Sequence, residues 1–205
     1  GAMVKHTLPS QIGRERKDVV MVSVMPCTAK KFEARRPEFK NNGSPDVDFV
    51  LTTQELARMI EQSGLSLEKL HPSSFDMPMG FKTGGGVIFG NSGGVTEAVL
   101  RYAVGKITGN NPVDPEFEEI RGEESLRIVR TEVGGLELKL AIVHGLAKAR
   151  EVMNRILEGS LIVDLVEVMA CPGGCIGGAG QPVSREIALR RRERAKALYN
   201  TDRLL

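Results

Sequence analysis

The sequence predicts an α/β fold: a layered, mostly parallel sheet with flanking helices and one β-hairpin. Three observations predict it. Short β-branched apolar runs alternate with stretches of helical spacing, the pattern of strand–crossover–strand units. Gly134-Gly135 sits between two strand-like runs and is the strongest hairpin signal in the chain. Hydrophobic residues make up 41% of the 205 residues, enough for one well-cored domain.

The elements follow in order. Asp18–Val24 (DVVMVSV) is apolar and β-branched, with charge before it and Pro26 after, and reads as a buried parallel strand. From Met25 to Pro37 basic and acidic residues mix with mild helical character. Asn41–Pro45 (NNGSP) is a loop by its turn chemistry, and Val47–Leu51 is a second strand. Thr52-Thr53-Gln54-Glu55 has the capping-box pattern and opens a helix with Leu56, Met59 and Ile60 on one face, ending near Gly64. Pro72–Gly94 is long and glycine-dense, the mark of a functional or disordered loop. A helix over Val95–Ile107 ends at Gly109, and strands Leu126–Glu132 and Leu136–Val143 flank the hairpin glycines. Ala147–Leu157 is an amphipathic helix with Ala149, Val152, Met153, Ile156 and Leu157 at helical spacing, and Ile162–Val168 is a further strand. After the glycine-rich Cys171–Pro182, Arg185–Leu198 is helical. Its basic run reads as a solvated or partner-facing surface.

Composition excludes several classes of function. No apolar run approaches the roughly 18 residues of a membrane helix; Val19–Met25 is the longest near-continuous stretch. A net charge of +2 gives no support to general nucleic-acid binding. Three cysteines cannot all pair, which argues against a disulfide scaffold and for a reducing, cytoplasmic compartment. The opening Gly-Ala-Met resembles a tag-cleavage remnant. Residues 1–3 are therefore set aside, and residues 4–205 are expected to form a single α/β domain.

The chemistry concentrates in the cysteines. Cys27, Cys171 and Cys175 each lie just beyond the carboxyl end of a predicted strand, the edge where open α/β sheets bind ligands. Cys171 and Cys175 flank Pro172-Gly173-Gly174, and a glycine run follows. Small residues there let backbone N–H groups approach a bulky inorganic cluster. Soft thiolates suit iron–sulfur clusters or zinc, and His144 is available to complete a Cys3His zinc site, so the residues alone leave both open. Beside Cys27, Lys30 lies one helical turn on and Glu33 a further three residues, spaced to pair and orient one another. Read without the cysteine, they are an ordinary exposed ion pair. Thr83–Gly94 fits neither common nucleotide-binding fingerprint.

Met25–Glu33 (MPCTAKKFE) and Glu167–Pro182 (EVMACPGGCIGGAGQP) resemble the second and third signature motifs of the catalytic domain of [FeFe]-hydrogenases. Gly86–Arg101 (GVIFGNSGGVTEAVLR) and RAKALYN near the end are similar to that family as well, so the resemblance covers nearly the whole chain. It implies one lobe, the second, of a two-lobed domain around an H-cluster, a [4Fe–4S] cubane joined to a diiron unit with CO, CN⁻ and a bridging dithiolate. Carried over onto this chain, Cys27, Cys171 and Cys175 are cubane ligands, with Cys175 bridging to the diiron unit. Lys30 donates a hydrogen bond to a cyanide, Glu33 holds Lys30, and Met25 and Met169 pack beside the diiron unit. Pro26 and Phe89 line its apolar wall, and the backbone at Pro26, Ala170 and Gly174 contacts the cofactor. The implied reaction is reversible reduction of protons to H2.

The departures from the family pattern shape the expectation for this chain. A cubane takes four cysteine ligands, and three are present. The family's upstream cysteine motif is absent, so the chain reads as a piece of a larger protein that is inactive and lacks the H-cluster on its own. Its implied partners are the other lobe and iron–sulfur domains of the same chain, electron-transfer subunits that are ferredoxin- or NAD(P)-linked, and maturation proteins. The alternatives are a non-catalytic Nar1-like iron–sulfur assembly scaffold holding a cubane only, a hydrogen-sensing homologue, and a zinc-stabilised interaction module. Lys30, Glu33, Met25 and Met169 favour the enzyme over a cubane-only scaffold.

Overall fold

Parallel pairing and the glycine hairpin both form, distributed over separate small sheets. The computed structural model describes residues 1–80, 83–109 and 117–204; residues 81 and 82 of the Pro72–Gly94 stretch lie outside them. The described residues divide into two compact units, where strand–helix alternation predicts one domain. The first unit takes residues 1–80 with 178–183, and the second takes 83–177 and the chain from 184. Alternation identifies strands but not their partners, and here each unit closes its own sheet.

In the first unit, α1 (Ala2–Gln11) begins inside the three residues set aside above. Its anchor is Lys5, 2% exposed, whose Nζ meets Asp48 at 2.6 Å and donates to the Pro45 carbonyl at 2.8 Å. A buried ammonium satisfied in this way fixes a helix that lacks an amphipathic pattern. Strand β1 (Val22–Met25) leads into α2 (Ala29–Glu33). The predicted NNGSP loop is the turn of a tiny hairpin, β2 (Lys40–Asn41) with β3 (Ser44–Pro45), its corner made by Asn42 and Gly43 at φ 50 and 80. Both corner residues lie in the left-handed region, as tight hairpins require. Strand β4 (Phe49–Thr52) pairs in parallel with β1, Met25 opposite Thr52.

Helix α3 (Thr53–Gln62) starts on the capping box the sequence predicts. The Glu55 amide donates to Thr52 Oγ1 at 3.1 Å, and the Thr52 amide donates to Glu55 Oε2 at 2.8 Å. Lys31 reaches the same carboxylate at 2.8 Å and, with the Thr52 amide, draws the Glu55 pKa down to about 2.

In the second unit, α4 (Gly84–Ile88) forms where glycine content predicts loop. Tertiary contact overrides propensity here: a Cβ on Gly84 would run into the Asp202 carboxylate, and one on Gly94 into the Ile88 carbonyl. Helix α5 (Gly94–Thr108) ends on Gly109 in the left-handed conformation. Strands β5 (Leu126–Val133) and β6 (Leu136–His144) form the hairpin around Gly134 and Gly135, both at positive φ. Helix α6 (Leu146–Leu157) crosses over to β7 (Leu165–Met169), which pairs in parallel with β6. The last helix is α7 (Ile187–Asp202).

Strand β6 is buried on both faces. Leu140 and Ile142 pack with Leu100 of α5, while Ala141 and Val143 pack with Val152 of α6. Period-two alternation between two helix layers makes β6 the spine of this unit. An ionic clamp joins α5 to α7. Glu97, fully buried, accepts from Arg101 at 2.6 Å and from Arg121 at 2.7 Å, and Arg101 grips Asp202 at 2.7 and 2.8 Å. The Arg121 guanidinium lies 4.3 Å from the Tyr199 ring centre, and burial with the nearby Glu97 raises the Tyr199 pKa to about 12. No helix among the described residues is long and apolar enough to cross a membrane.

Glu167 of β7, 8% exposed, places its carboxylate at the start of α5. It accepts from the Gly93 amide at 2.6 Å, the Thr96 amide at 2.8 Å and Thr96 Oγ1 at 2.8 Å. Arg127, equally buried, serves the carbonyl side: it donates to Ser92 O at 2.9 Å and to Ile120 O at 3.1 Å, and burial lowers its pKa.

Two outcomes follow from these caps. Glu167→Ala leaves buried amides without an acceptor and is expected to cost about 3 kcal/mol or more in urea unfolding, with Glu167→Gln costing less. The Glu55 carboxylate titrates near 2 when folded and near 4.5 when unfolded, so its stabilisation is present above pH 4.5 and lost as pH falls toward 2. Glu55→Gln therefore flattens that acid limb in thermal melts from pH 2 to 6, while Thr52→Ala costs about 1 kcal/mol at neutral pH.

Candidate metal centre

The predicted site residues fall into two groups, one on each unit. In the first unit β1 delivers Met25, Pro26 and Cys27 past its carboxyl end, and α2 follows at once. Segment 178–183 returns to brace this corner: the Gly180 amide donates to Pro26 O at 3.0 Å, and Gly180 O accepts from the Gln54 amide at 2.9 Å. A Cβ at position 180 would stand 2.8 Å from the Cys27 amide nitrogen, so only glycine permits this approach. Lys30 Nζ donates to both carboxylate oxygens of Glu33, at 2.7 and 2.6 Å, as the three-residue spacing predicts. Their side chains are 44% and 42% exposed, so the pair contributes little to stability. Lys30 and Glu33 line a cleft of about 260 Å³ with Met25, Ser23 and Val50. Cys27 is half-buried.

In the second unit β7 delivers Met169, Ala170 and Cys171 in the same way. The Gly174 amide donates to Cys171 O at 3.0 Å, closing the Pro-Gly-Gly turn, with Gly173 and Gly174 at φ 78 and 94. The turn is zipped to the chain carrying Phe89: the Ser92 amide donates to Gly173 O and the Ile176 amide to Gly90 O, each at 3.1 Å. A Cβ at position 174 would lie 2.7 Å from the Ser92 nitrogen, so this glycine is required by contact as well as by backbone angle. Cys171 is half-buried, Cys175 exposed and Phe89 47% exposed. Phe89, Met169, Ala170, Cys171, Gly174 and Cys175 thus gather at one edge of this unit, while Met25, Pro26, Cys27, Lys30 and Glu33 gather at one corner of the other.

His144, the available zinc ligand, is 7% exposed and sits 3.3 Å from the Glu123 carbonyl through Nε2. Among the described residues of the second unit, no three His, Cys, Asp or Glu side chains gather closely enough to hold a metal ion. The first unit carries one soft thiol, Cys27, and the second carries two, Cys171 and Cys175, all on glycine-shaped turns, a donor chemistry that suits iron–sulfur ligation.

Sequence reasoning missed several residues that hold the cysteine turn. Glu167 appears in the motif, but its spacing gives no sign that it caps α5. Arg194 donates to Ile176 O at 2.9 Å from α7, and the Arg191 stem packs on the turn, its Cδ 3.4 Å from where a Cβ on Gly173 would lie. Their positions inside a basic run made them look solvated. Asn91, 3% exposed, gave no signal at all.

The chain matches the iron only hydrogenase large subunit, C-terminal domain, over residues 1–179. It is 43% identical over 202 residues to the NADP-reducing hydrogenase subunit HndD of Solidesulfovibrio fructosivorans, covering 98% of this chain and 34% of that one. It is 43% identical to the periplasmic [Fe] hydrogenase large subunit of Nitratidesulfovibrio vulgaris, covering 89% and 44%. The cytosolic Fe-S cluster assembly factor narfl of Xenopus tropicalis is 32% identical, covering 99% and 44%. The chain therefore spans less than half the length of these relatives. Among solved structures, a variant of [FeFe]-hydrogenase HydA1 from Chlamydomonas reinhardtii superposes with a TM-score of 0.79 at 34% identity, covering 98% of this chain and 58% of that one. The α/β fold is that of the hydrogenase domain, and the chain belongs to the iron-only ([FeFe]) hydrogenase large-subunit family.

Proposed function

We propose that this chain is one lobe of a catalytic [FeFe]-hydrogenase domain, built to hold an H-cluster in a longer protein. The observation that carries the reading is the Lys30–Glu33 pair in the cleft beside Met25, with Lys30 three residues beyond Cys27. A cubane alone gives a half-exposed ammonium no task there. When bound, the H-cluster supplies the reversible two-electron reduction of two protons to H2.

This chain's residues do the holding and tuning. Cys27, Cys171 and Cys175 would supply three thiolates to the cluster. Because four are needed and the chain has three cysteines, the fourth ligand comes from outside these residues, and the chain alone is inactive. Lys30, held by Glu33, would present its remaining N–H donors to an anionic cyanide ligand. Met25, Met169, Pro26 and Phe89 would exclude water from the diiron unit, and the backbone at Ala170 and Gly174 would help to hold the cofactor. Electrons arrive through further iron–sulfur domains of the longer chain or through ferredoxin- or NAD(P)-linked subunits, and maturation proteins install the diiron unit. The cysteine count favours the cytoplasm, although one relative is periplasmic.

A second reading has its own support, since the narfl relative is an assembly factor at 32% identity over nearly the whole chain. The higher identity to HndD favours the enzyme. A protein of the relatives' length carrying this sequence, co-expressed with hydrogenase maturation proteins, is expected to show CO and CN⁻ stretching bands in anaerobic infrared spectra. A cubane signal without those bands, under conditions that mature a known [FeFe]-hydrogenase, would overturn the enzyme reading in favour of the scaffold. In the same protein Lys30→Ala should lower H2 evolution about tenfold or more and shift the CN⁻ bands, leaving the cubane's paramagnetic signal in place.

A further inference from the structure

The tip of the β2–β3 hairpin carries the only Asn-Gly step in the sequence, Asn42-Gly43. Both residues are exposed, and nothing stands within 4 Å of the place where a Cβ on Gly43 would lie. Asn-Gly is the step at which a chain most readily modifies itself. The backbone nitrogen after the asparagine attacks the side-chain amide, and glycine leaves that nitrogen unshielded. The backbone angle between the two residues decides whether the attack can happen. Asn42 and Gly43 stand at φ 50 and 80, with Asn41 paired opposite Ser44 on either side of them. Two positive φ values in a two-residue loop make a type I′ turn, in which ψ of the first residue is about +30°. At that angle the Gly43 nitrogen lies roughly opposite the Asn42 Cβ across the Cα–C bond, turned away from Cγ. The ring can close only after the turn opens.

We propose that Asn42 is a self-modification site gated by its own hairpin, and that its isoaspartate product cannot rebuild the turn. When the tip opens, the bond from Gly43 N to Asn42 Cγ forms and the Cγ–Nδ2 bond breaks. The side-chain nitrogen leaves as ammonia, carrying the Gly43 amide proton, and a cyclic imide remains. Water then opens the imide at either carbonyl. Opening at Cγ gives aspartate, which beside glycine suits the same turn. Opening at the backbone carbonyl gives isoaspartate, which routes the main chain through Cβ and lengthens a loop whose register depends on having two residues. Asn41 and Ser44 then no longer meet as a pair. The effect reaches beyond the tip, because Pro45 O accepts from Lys5 Nζ at 2.8 Å and Asp46 pairs with Arg16. Phe39 and Asp46, which flank the hairpin, also line the cleft that holds Lys30 and Glu33. The modification thus loosens the anchor of α1 and one wall of that cleft.

This site is independent of the hydrogenase reading, and its test needs no cluster. The 205-residue chain is held in mildly alkaline buffer, with and without urea, and conversion at position 42 is followed by peptide mass spectrometry. Conversion is expected in urea, and about tenfold or more slower in the folded chain, because only the open tip reacts. Ser44→Pro removes the amide that closes the turn and should bring the folded rate up toward the urea rate, with unchanged circular dichroism confirming the rest of the fold. In the isoaspartate fraction the amides of α1 should exchange with solvent about tenfold or more faster than in the unmodified chain. No conversion at position 42 in urea would overturn the site. Equal rates with and without urea, or a Ser44→Pro chain no faster than the unsubstituted one, would overturn the gate. Unchanged exchange in α1 would overturn the consequence for the fold.

Discussion

The amides of Gly93 and Thr96 open α5 among buried side chains, and the carboxylate of Glu167 takes both. The second unit is arranged around that connection. Glu167 stands two residues before Met169, so the strand that delivers Cys171 is tied through its own side chain to the turn that carries Phe89. Arg127 meets the opposite polarity, taking the Ser92 carbonyl. Between them the two charged side chains satisfy donors and acceptors of one loop, and the backbone bonds from Ser92 to Gly173 and from Ile176 to Gly90 complete the join. In a low-dielectric interior such a network is rigid only when every member is satisfied. The cysteine turn takes its shape from this network together with its own glycines.

Much of the architecture was legible because its signals are local. The capping box at Thr52–Glu55, the hairpin glycines and the amphipathic α6 each need only a few neighbouring residues to declare themselves. What escaped depends on contacts distant in sequence. Helix α4 opens on Gly84 because the Asp202 carboxylate, far along the chain, leaves no room there for a Cβ. Helix α1 rests on one buried ion pair, between Lys5 and Asp48. The division into two units escaped because periodicity names strands without pairing them.

The candidate site follows the same rule. Its thiols, and the Lys30–Glu33 pair, stand out as sequence because chemistry-bearing residues cluster within short motifs. Their supports do not. Arg191 and Arg194 sit in a run of arginines that looks solvated, and only the fold separates the two that touch the cysteine turn from Arg190, whose partner is the exposed Glu193. Asn91 is invisible because a lone asparagine beside glycines ordinarily means a turn.

The first unit is discontinuous, and this orders its assembly. Its corner at Cys27 is closed by Gly180, which bonds to Pro26 and to Gln54, both made far earlier in synthesis. A nascent chain that has produced everything up to residue 177 holds all three thiols but lacks the segment that fixes the first of them. Cys27 is thus the first cysteine to emerge, and its corner closes only once Gly180 has been made.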